Sequence, residues 1–176
     1  MDENLSKSVI KVFVDLYKKK LIYKSKKLVN WDMVLKTAIS DLEVDQREVN
    51  SKLYYIKYQI ENSSDYITIA TTRPETMLGD TGVAVNPKDE RYTNFVGKFA
   101  ILPIVGRKLK IFQDEYADPE QGTGAVKITP AHDFNDFDVG ERQKLKKINI
   151  FTEDGKMNKN APKEYMGMDR FEARKK

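Results

Sequence analysis

The sequence predicts an α+β domain, built on a mostly antiparallel, barrel-like β-sheet with a few helices and preceded by a helical flank. Three observations predict this class. A helical pattern opens the chain, residues from Ser51 onward alternate with a period of two, and short apolar runs then recur between turn signals. With 176 residues there is room for one domain and a flanking piece. We therefore expect residues 1–50 to form a flank or connector and residues 51–176 to form the domain.

The elements follow one another in a regular order. Apolar residues at helical spacing predict an amphipathic helix over residues 4–20, and an acid-rich stretch, 41–48, links it to the sheet. The predicted strands are 54–60, 66–71, 82–85, 100–105, 109–112, 125–129 and 148–152. A helix is predicted over residues 134–145, and another begins after Asp169, which would cap it. We expect that last helix to be truncated at Lys176.

Composition excludes several classes of protein. There is no cysteine and only one histidine, so neither a disulfide framework, a thiolate nucleophile nor a closed Cys/His zinc site can be built. No apolar run reaches the length of a membrane span, and the first residues do not resemble a signal peptide. The expectation is a cytoplasmic protein with no membrane partner.

Six lysines lie close together where the first predicted helix ends: Lys18, Lys19, Lys20, Lys24, Lys26 and Lys27. Such a cluster is compatible with binding to a nucleic-acid backbone, because neutralised phosphates release counterions. It is also typical of a solvated helix end, where lysines interact favourably with the helix dipole. Composition alone favours the second interpretation and leaves the first open.

Two segments concentrate polar side chains, each at the end of a predicted strand. In the first, Thr71-Thr72-Arg73-Pro74-Glu75-Thr76, the proline pushes Arg73 out of the helical region and leaves three hydroxyls beside one guanidinium. The second, Gly122 to Phe137, contains Lys127, Thr129, His132, Asp133 and Asp136. Asp133 and Asp136 are three residues apart on a predicted helix, so their carboxylates share a face and could together hold an ammonium group.

Local chemistry also allows a purely structural interpretation and, taken alone, favours it. Asp133 would be an N-cap, Asp136 a first-turn acid and His132 a surface histidine with satisfied hydrogen bonds. A metal site on these three residues is a third interpretation. It is disfavoured because no further histidine or cysteine is available to complete the shell, so we predict no metal.

The two segments resemble the signature motifs of the editing domain found in class I aminoacyl-tRNA synthetases for valine, isoleucine and leucine. The resemblance covers nearly the whole chain and continues through 85–92, 102–107, 114–120, 148–155 and 168–175. Residues Arg73 to Asp80 are most similar to the valyl form. The leucyl form usually has aspartate at the position of Glu75, and the isoleucyl form usually lacks Arg73 and Asp133. One departure is Gln121, where valyl enzymes often carry an aromatic residue.

The resemblance implies a deacylase that hydrolyses threonine wrongly attached to tRNA(Val). Water would attack the aminoacyl ester, placed by the site without a protein nucleophile. The implied catalytic residues are Asp136, which would hold the α-ammonium, Asp133, Thr76 and His132. The implied substrate-binding residues are Thr71, Thr72, Arg73, Glu75, Lys127 and Thr129. The role of His132 stays open between positioning water and bracing its loop.

The resemblance also implies partners and cofactors. The partners are the 3′ end of tRNA(Val) carrying threonine and the rest of the synthetase. Editing itself needs no cofactor. ATP and Mg²⁺ belong to the synthetic site of the parent enzyme, whose His-Ile-Gly-His and Lys-Met-Ser-Lys-Ser signatures this chain lacks. Two alternatives stay open: a leucyl- or isoleucyl-type editing domain, and a tRNA-binding module without activity.

Overall fold

The flank is only partly helical. A computed structural model describes residues 2–176, and its first element is helix α1, Glu3–Lys18, capped by the carboxylate of Asp2. Two strands that the sequence did not predict follow, β1, Asn30–Asp32, and β2, Thr37–Ile39, and they pair as an antiparallel hairpin. Strands of three residues are too short to show a period-two pattern, which is why the expectation of a helical flank needs this correction.

The hairpin contacts the domain through β1 and through its turn. The Trp31 indole N–H donates to the carbonyl of Glu153 at 2.9 Å. Met33 packs on Gly155, where an added Cβ would lie 2.2 Å from the methionine sulfur. Gly155 also has a φ of +76°, a backbone conformation that glycine adopts without strain, and its missing side chain leaves room for Met33.

Six strands form the main sheet, in the order β4-β3-β6-β7-β5-β8. Their bounds are β3 Tyr54–Ile60, β4 Tyr66–Thr71, β5 Gly82–Val85, β6 Phe99–Ile101, β7 Lys108–Gln113 and β8 Ala125–Ile128. All neighbours are antiparallel except β5 and β7, which run parallel. The edge strands β4 and β8 contact each other, so the sheet curls into a nearly closed barrel. The predicted α+β, mostly antiparallel, barrel-like class is confirmed.

The remaining elements are short helices. Three 3₁₀ helices cover Asp41–Glu43, Pro74–Gly79 and Glu90–Phe95. Helix α2, Phe134–Arg142, follows β8, and helix α3, Arg170–Lys175, is capped by Asp169 as predicted. No helix within residues 2–176 is long and apolar enough to cross a membrane.

Two predicted elements need correction. The strand expected over 148–152 is absent, because the Ile150 N–H donates to a side chain, that of His132, and Phe151 forms only an isolated bridge with Met157. The strand expected over 100–105 ends early at Ile101. Ile104 has a φ of +67°, which lies outside the extended region that a strand needs.

Period-two alternation divides the apolar residues of β5, β7 and β8 between two cores. One set fills the barrel interior and includes Val83, Val85 and Ile111. The other lies outside the barrel, where Ala84, Phe112 and Ile128 pack against Val139 of α2. This second core fixes α2 to the outer face of the sheet.

The strand directions decide where the two polar segments lie. Since β4 and β8 run the same way and contact each other at the seam, their carboxyl ends meet at one end of the barrel. The loop before β8 also approaches β4 closely, because a Cβ on Gly122 would lie 2.9 Å from the Cβ of Ala70. The segments that begin at Thr71 and Thr129 are thereby brought side by side.

Candidate functional site

A pocket of about 150 Å³ opens where β4 and β8 end. Nine of the ten residues predicted from the sequence line it, all but Glu75. The nine are Thr71, Thr72, Arg73, Thr76, Lys127, Thr129, His132, Asp133 and Asp136. Ala70, Tyr116 and Val126 complete the lining. The barrel therefore joins the two polar segments into one site.

Glu75 does not reach this pocket. Its buried carboxylate accepts two hydrogen bonds from Arg174 of α3, at 2.8 and 2.6 Å. Both oxygens are thus engaged with α3, and the Arg73 guanidinium is more distant, at 3.9 Å. The structure therefore places Glu75 outside the pocket, where it anchors α3, and not beside the other nine predicted residues.

The two aspartates at the start of α2 use their carboxylates differently. Asp133 is the N-cap, and its Oδ1 accepts from the N–H groups of Asn135 and Asp136 at 2.9 and 3.1 Å. Asp136 lies in the first turn, is buried, and accepts from the Thr129 N–H at 2.8 Å through Oδ2. The capping role considered for Asp133 is confirmed. These hydrogen bonds engage one oxygen of each carboxylate, and both residues line the pocket.

The charge of Asp136 is sensitive to pH in the physiological range. Burial raises the pKa of Asp136 to about 6, although Lys127 and the Thr129 N–H act in the opposite direction. Tyr116 lies beside this carboxylate, and burial together with Asp136 raises the pKa of the phenol to about 12. Asp136 is therefore mostly ionised at pH 7, and Tyr116 stays a neutral hydroxyl.

His132 braces the loop before α2. Burial lowers the pKa of its imidazole to about 4, and the charges of Arg73 and Lys127 add to the effect. Nε2 accepts from the Ile150 N–H at 3.0 Å, and the ring meets Phe151 edge-on, with 4.6 Å between ring centroids. The lone pair that would act as a general base is occupied, so these contacts favour the bracing role over positioning water.

The threonines after β4 hold the Arg73 loop. Thr76 donates its hydroxyl proton to the Arg73 carbonyl at 2.9 Å, and Thr71 Oγ1 accepts from the Arg73 N–H at 3.1 Å. The Arg73 guanidinium then donates to the carbonyl of His132 at 2.9 Å. This last bond ties the two polar segments together across the seam.

A larger groove, of about 1440 Å³, adjoins the pocket and shares Arg73, His132 and Asp133 with it. It lies between the flank and the loops around α2. Its basic side chains are Lys26, Lys27, Lys36, Arg73, Lys147, Lys159 and Arg170, and its aromatic side chains are Trp31, Phe134, Phe137 and Phe151. Basic and aromatic side chains together are typical of surfaces that bind single-stranded nucleic acid.

Sequence reasoning missed Tyr116. It supplies an aromatic ring to the pocket, whereas Gln121, where an aromatic residue is common in valyl enzymes, is exposed and lines neither cavity. Asp114 holds the turn before Tyr116, accepting from its N–H at 3.0 Å and from Arg142 of α2 at 2.9 and 2.7 Å. Nothing local in the sequence indicates these contacts of Asp114.

Within residues 2–176, no three His, Asp or Glu residues are grouped so as to hold a metal ion.

Comparison with known proteins places the chain in a family. Residues 1–172 match the family model of class I tRNA synthetases (I, L, M and V). The chain belongs to this family. Among curated members, the valine–tRNA ligase of Pelagibacter ubique is 77% identical over 176 residues, which cover all of this chain and 20% of the ligase. The valine–tRNA ligase of Caulobacter vibrioides is 55% identical over 195 residues, covering 99% and 22% respectively.

This class I chain therefore spans about a fifth of the length of the curated relatives it matches. A solved structure, the ternary complex of LeuRS from Agrobacterium radiobacter with tRNA and LeuAMS, aligns with 80% of this chain and 27% of its own. The identity is 21% and the TM-score 0.49.

Asp136→Asn is expected to raise stability in a pH-dependent way. Because burial raises the pKa of Asp136 from 3.8 to about 6, the unfolded chain releases this proton at lower pH than the folded one. The free energy of unfolding of the wild type therefore falls by about 3 kcal/mol in total as pH rises from about 4 to 6. Asparagine does not ionise, so the variant should be more stable than the wild type by up to that amount at pH 8. Near pH 3.5 the two proteins should be about equally stable. Urea unfolding at both pH values measures this, and equal differences at both would contradict the burial effect.

Proposed function

We propose that this chain is an editing domain that hydrolyses Thr-tRNA(Val). The pocket at the barrel seam carries the proposal, because it places two acids, a lysine and several hydroxyls around a small space. Sites for drug-sized ligands usually measure about 300–1,000 Å³, so this pocket suits an aminoacyl group and not a whole nucleotide. The high identity to valine–tRNA ligases supports tRNA(Val) as the carrier.

The acids would hold the substrate's α-ammonium. Asp136 is buried and beside Asp133, and a cation entering between them would replace water around both carboxylates. Charge-assisted hydrogen bonds in such a site are stronger than neutral ones. Binding of the ammonium would also favour the ionised form of Asp136, whose pKa is raised by burial in the empty pocket.

Lys127 and Thr129 would read the side-chain hydroxyl of threonine. Threonine and valine have nearly the same size, so a hydrophobic pocket cannot separate them well. The synthetic site of valine enzymes is a known example, with discrimination of only about 10². A polar wall separates them better, since valine would leave buried donors and acceptors unpaired. Both residues are buried and line the pocket.

The reaction would be direct hydrolysis. A water oxygen bonds to the ester carbonyl carbon, the bond from that carbon to the ribose oxygen breaks, and the ribose oxygen takes up a proton. The products are threonine and tRNA(Val). The pocket lining has no serine or cysteine, and the lone pair of His132 is engaged, so the rate enhancement would come from placing ester and water. Arg73 would orient the ester from the seam.

The larger groove would guide the 3′ strand of the tRNA to the pocket, since both cavities share Arg73, His132 and Asp133. Lys26 and Lys27 would neutralise phosphates there, and the aromatic side chains would stack on bases.

The flank would contact the rest of the synthetase through α1. No residue of α1 is buried within this chain, and Leu5, Val9 and Phe13 on it are more than half exposed.

Replacing Lys26 and Lys27 by alanine is expected to weaken tRNA binding and to make the binding constant less dependent on salt concentration. For single strands, the slope of log K against log salt changes by about 0.7 for each phosphate that the protein no longer neutralises, so the slope of the double variant should be smaller by roughly 1.4. Titrations at several salt concentrations measure this. Lys110→Ala is the matched control, because Lys110 is exposed on β7 and lies outside the groove. Equal slopes for the wild type and the double variant would contradict the proposed route.

Deacylation of Thr-tRNA(Val) tests the proposed function. The chain is assayed alone, and also grafted in place of the matching 176 residues of the Pelagibacter ubique ligase. Cooperative thermal unfolding of the chain alone shows that it is folded, and normal valine charging by the graft shows that the rest of the ligase is intact. Release of threonine supports the proposal. Binding without release identifies a tRNA-binding module instead, and equal hydrolysis of Val-tRNA(Val) indicates gating by size, as in a leucyl- or isoleucyl-type domain.

A further inference from the structure

We propose that Asp80 is a positioning residue that fixes the hydrogen-bond polarity of the pocket wall, making Thr129 an acceptor and Lys127 a donor toward the substrate hydroxyl. The inference deepens the proposed function and rests on it. Asp80 does not line the pocket. It would act through the two residues that do.

Asp80 is fully buried inside the barrel end and bound on both oxygens. Its Oδ1 accepts from the Thr129 hydroxyl at 2.5 Å and lies 3.3 Å from the Lys127 ammonium. Its Oδ2 accepts from the Tyr58 hydroxyl at 2.7 Å. Arg107 holds the backbone there, donating to the Asp80 carbonyl at 2.7 Å. Three side chains thus hold the carboxylate, and a fourth holds its backbone.

Two hydroxyls and one ammonium donate to the Asp80 carboxylate, and these three contacts favour its ionised form. Burial raises the pKa of Asp80, and Lys127, Thr129 and Tyr58 each act in the opposite direction. Isolated buried carboxylates are expensive, but one that accepts from two hydroxyls and an ammonium has its lone pairs occupied. An ionised carboxylate can only accept hydrogen bonds.

That restriction decides the direction of the next bonds. The Thr129 hydroxyl has a single proton, and its contact with Asp80 requires it to donate that proton there. It must then accept from Lys127, whose ammonium lies 2.5 Å from Thr129 Oγ1 and can only donate. One lone pair of Thr129 and the unused N–H of Lys127 are left. A threonine hydroxyl can donate to the first and accept from the second, whereas a valine methyl can do neither.

Asp80→Asn is expected to invert this arrangement. Tyr58 donates to Oδ2, which favours the amide oxygen at that position and places the amide NH₂ toward Thr129 and Lys127. The amide N–H groups then donate towards Thr129 Oγ1, which already accepts from Lys127. Thr129 no longer offers a free lone pair, so the hydroxyl of the substrate threonine loses its acceptor. The ratio of kcat/KM for Thr-tRNA(Val) to that for Val-tRNA(Val) should fall by about 10- to 100-fold.

Tyr58→Phe is the matched control, because it removes a hydrogen bond to Asp80 from the oxygen that does not face Thr129. It should keep the ratio within about twofold. Asp80→Asn with both substrates slowed equally would assign Asp80 a general structural role and overturn the inference. Asp80→Asn with an unchanged ratio would overturn it as well.

NMR of the full chain tests the inference without an activity assay. The Lys127 ammonium protons and the Thr129 hydroxyl proton should exchange slowly in the wild type, since both are held at a buried carboxylate. If Asp80→Asn folds, both signals should broaden or vanish. If it does not fold, the wild type still decides, because a Thr129 hydroxyl that exchanges as fast as exposed threonines overturns the inference. Slow exchange in a chain that does not deacylate would instead count against the proposed function alone.

Discussion

Asp136→Asn is expected to lower deacylation of Thr-tRNA(Val) by roughly 30- to 5,000-fold while the fold is kept. The variant retains an oxygen to accept from the Thr129 N–H, which the native side chain binds at 2.8 Å. What it loses is the charge opposite the substrate's ammonium. Removing one partner of a buried, hydrogen-bonded charge pair costs about 2–5 kcal/mol, which corresponds to this range of rates. Single-turnover release of threonine, beside thermal unfolding, measures both effects.

Two further measurements make the result specific. In the wild type, kcat/KM should rise as pH passes through about 6, because Asp136 must ionise to hold the ammonium. That step should be missing from the variant. Asp133→Asn is the matched control, since asparagine caps a helix as well as aspartate does, and its loss of activity should be smaller. An active Asp136→Asn would exclude the proposed role of this residue.

Thr129→Val is expected to narrow the selectivity between threonine and valine. Threonine carries a hydroxyl where valine carries a methyl. Thr129→Val makes the same exchange in the pocket wall, so it removes the group that would pair with the hydroxyl of the substrate. Hydrolysis of Thr-tRNA(Val) should fall by about 10- to 100-fold, while the slow hydrolysis of Val-tRNA(Val) changes little. Lys127 would remain beside Asp80, 3.3 Å from its Oδ1, so the buried charge stays paired. Both substrates are measured on both proteins.

Thr76→Val separates this mechanism from a general loss of order. The sequence resemblance placed Thr76 among the catalytic residues, beside Asp133 and Asp136. In the structure it donates to the Arg73 carbonyl, so its loss should loosen the Arg73 loop and slow both substrates alike. A wild type that hydrolyses Thr-tRNA(Val) and Val-tRNA(Val) equally fast would exclude the valyl assignment, whatever the variants do.

The local pattern of the sequence determined much of this protein. Alternation over Tyr54–Ile60 and Tyr66–Thr71 predicted the hairpin of β3 and β4, and Asp169 marked the start of α3. The residues of the pocket could be named because they follow two strands as polar segments that resemble known motifs. Such features depend on neighbours a few residues apart, which is the range over which propensity and periodicity act. The three-residue strands of the flank hairpin were too short to show the same signal.

Only the tertiary structure decided which polar groups face the substrate. Glu75 and Arg174 are 99 residues apart, and their ion pair removes from the pocket a carboxylate that its motif had placed there. Asp80 and Lys127 are 47 residues apart and meet only because β8 packs beside β5 and directs Lys127 inward. Such pairs form because folding buries both carboxylates away from water, and a buried charge without a partner would cost several kcal/mol. No local sequence pattern shows which residue will lie nearest to a buried charge once the sheet has formed.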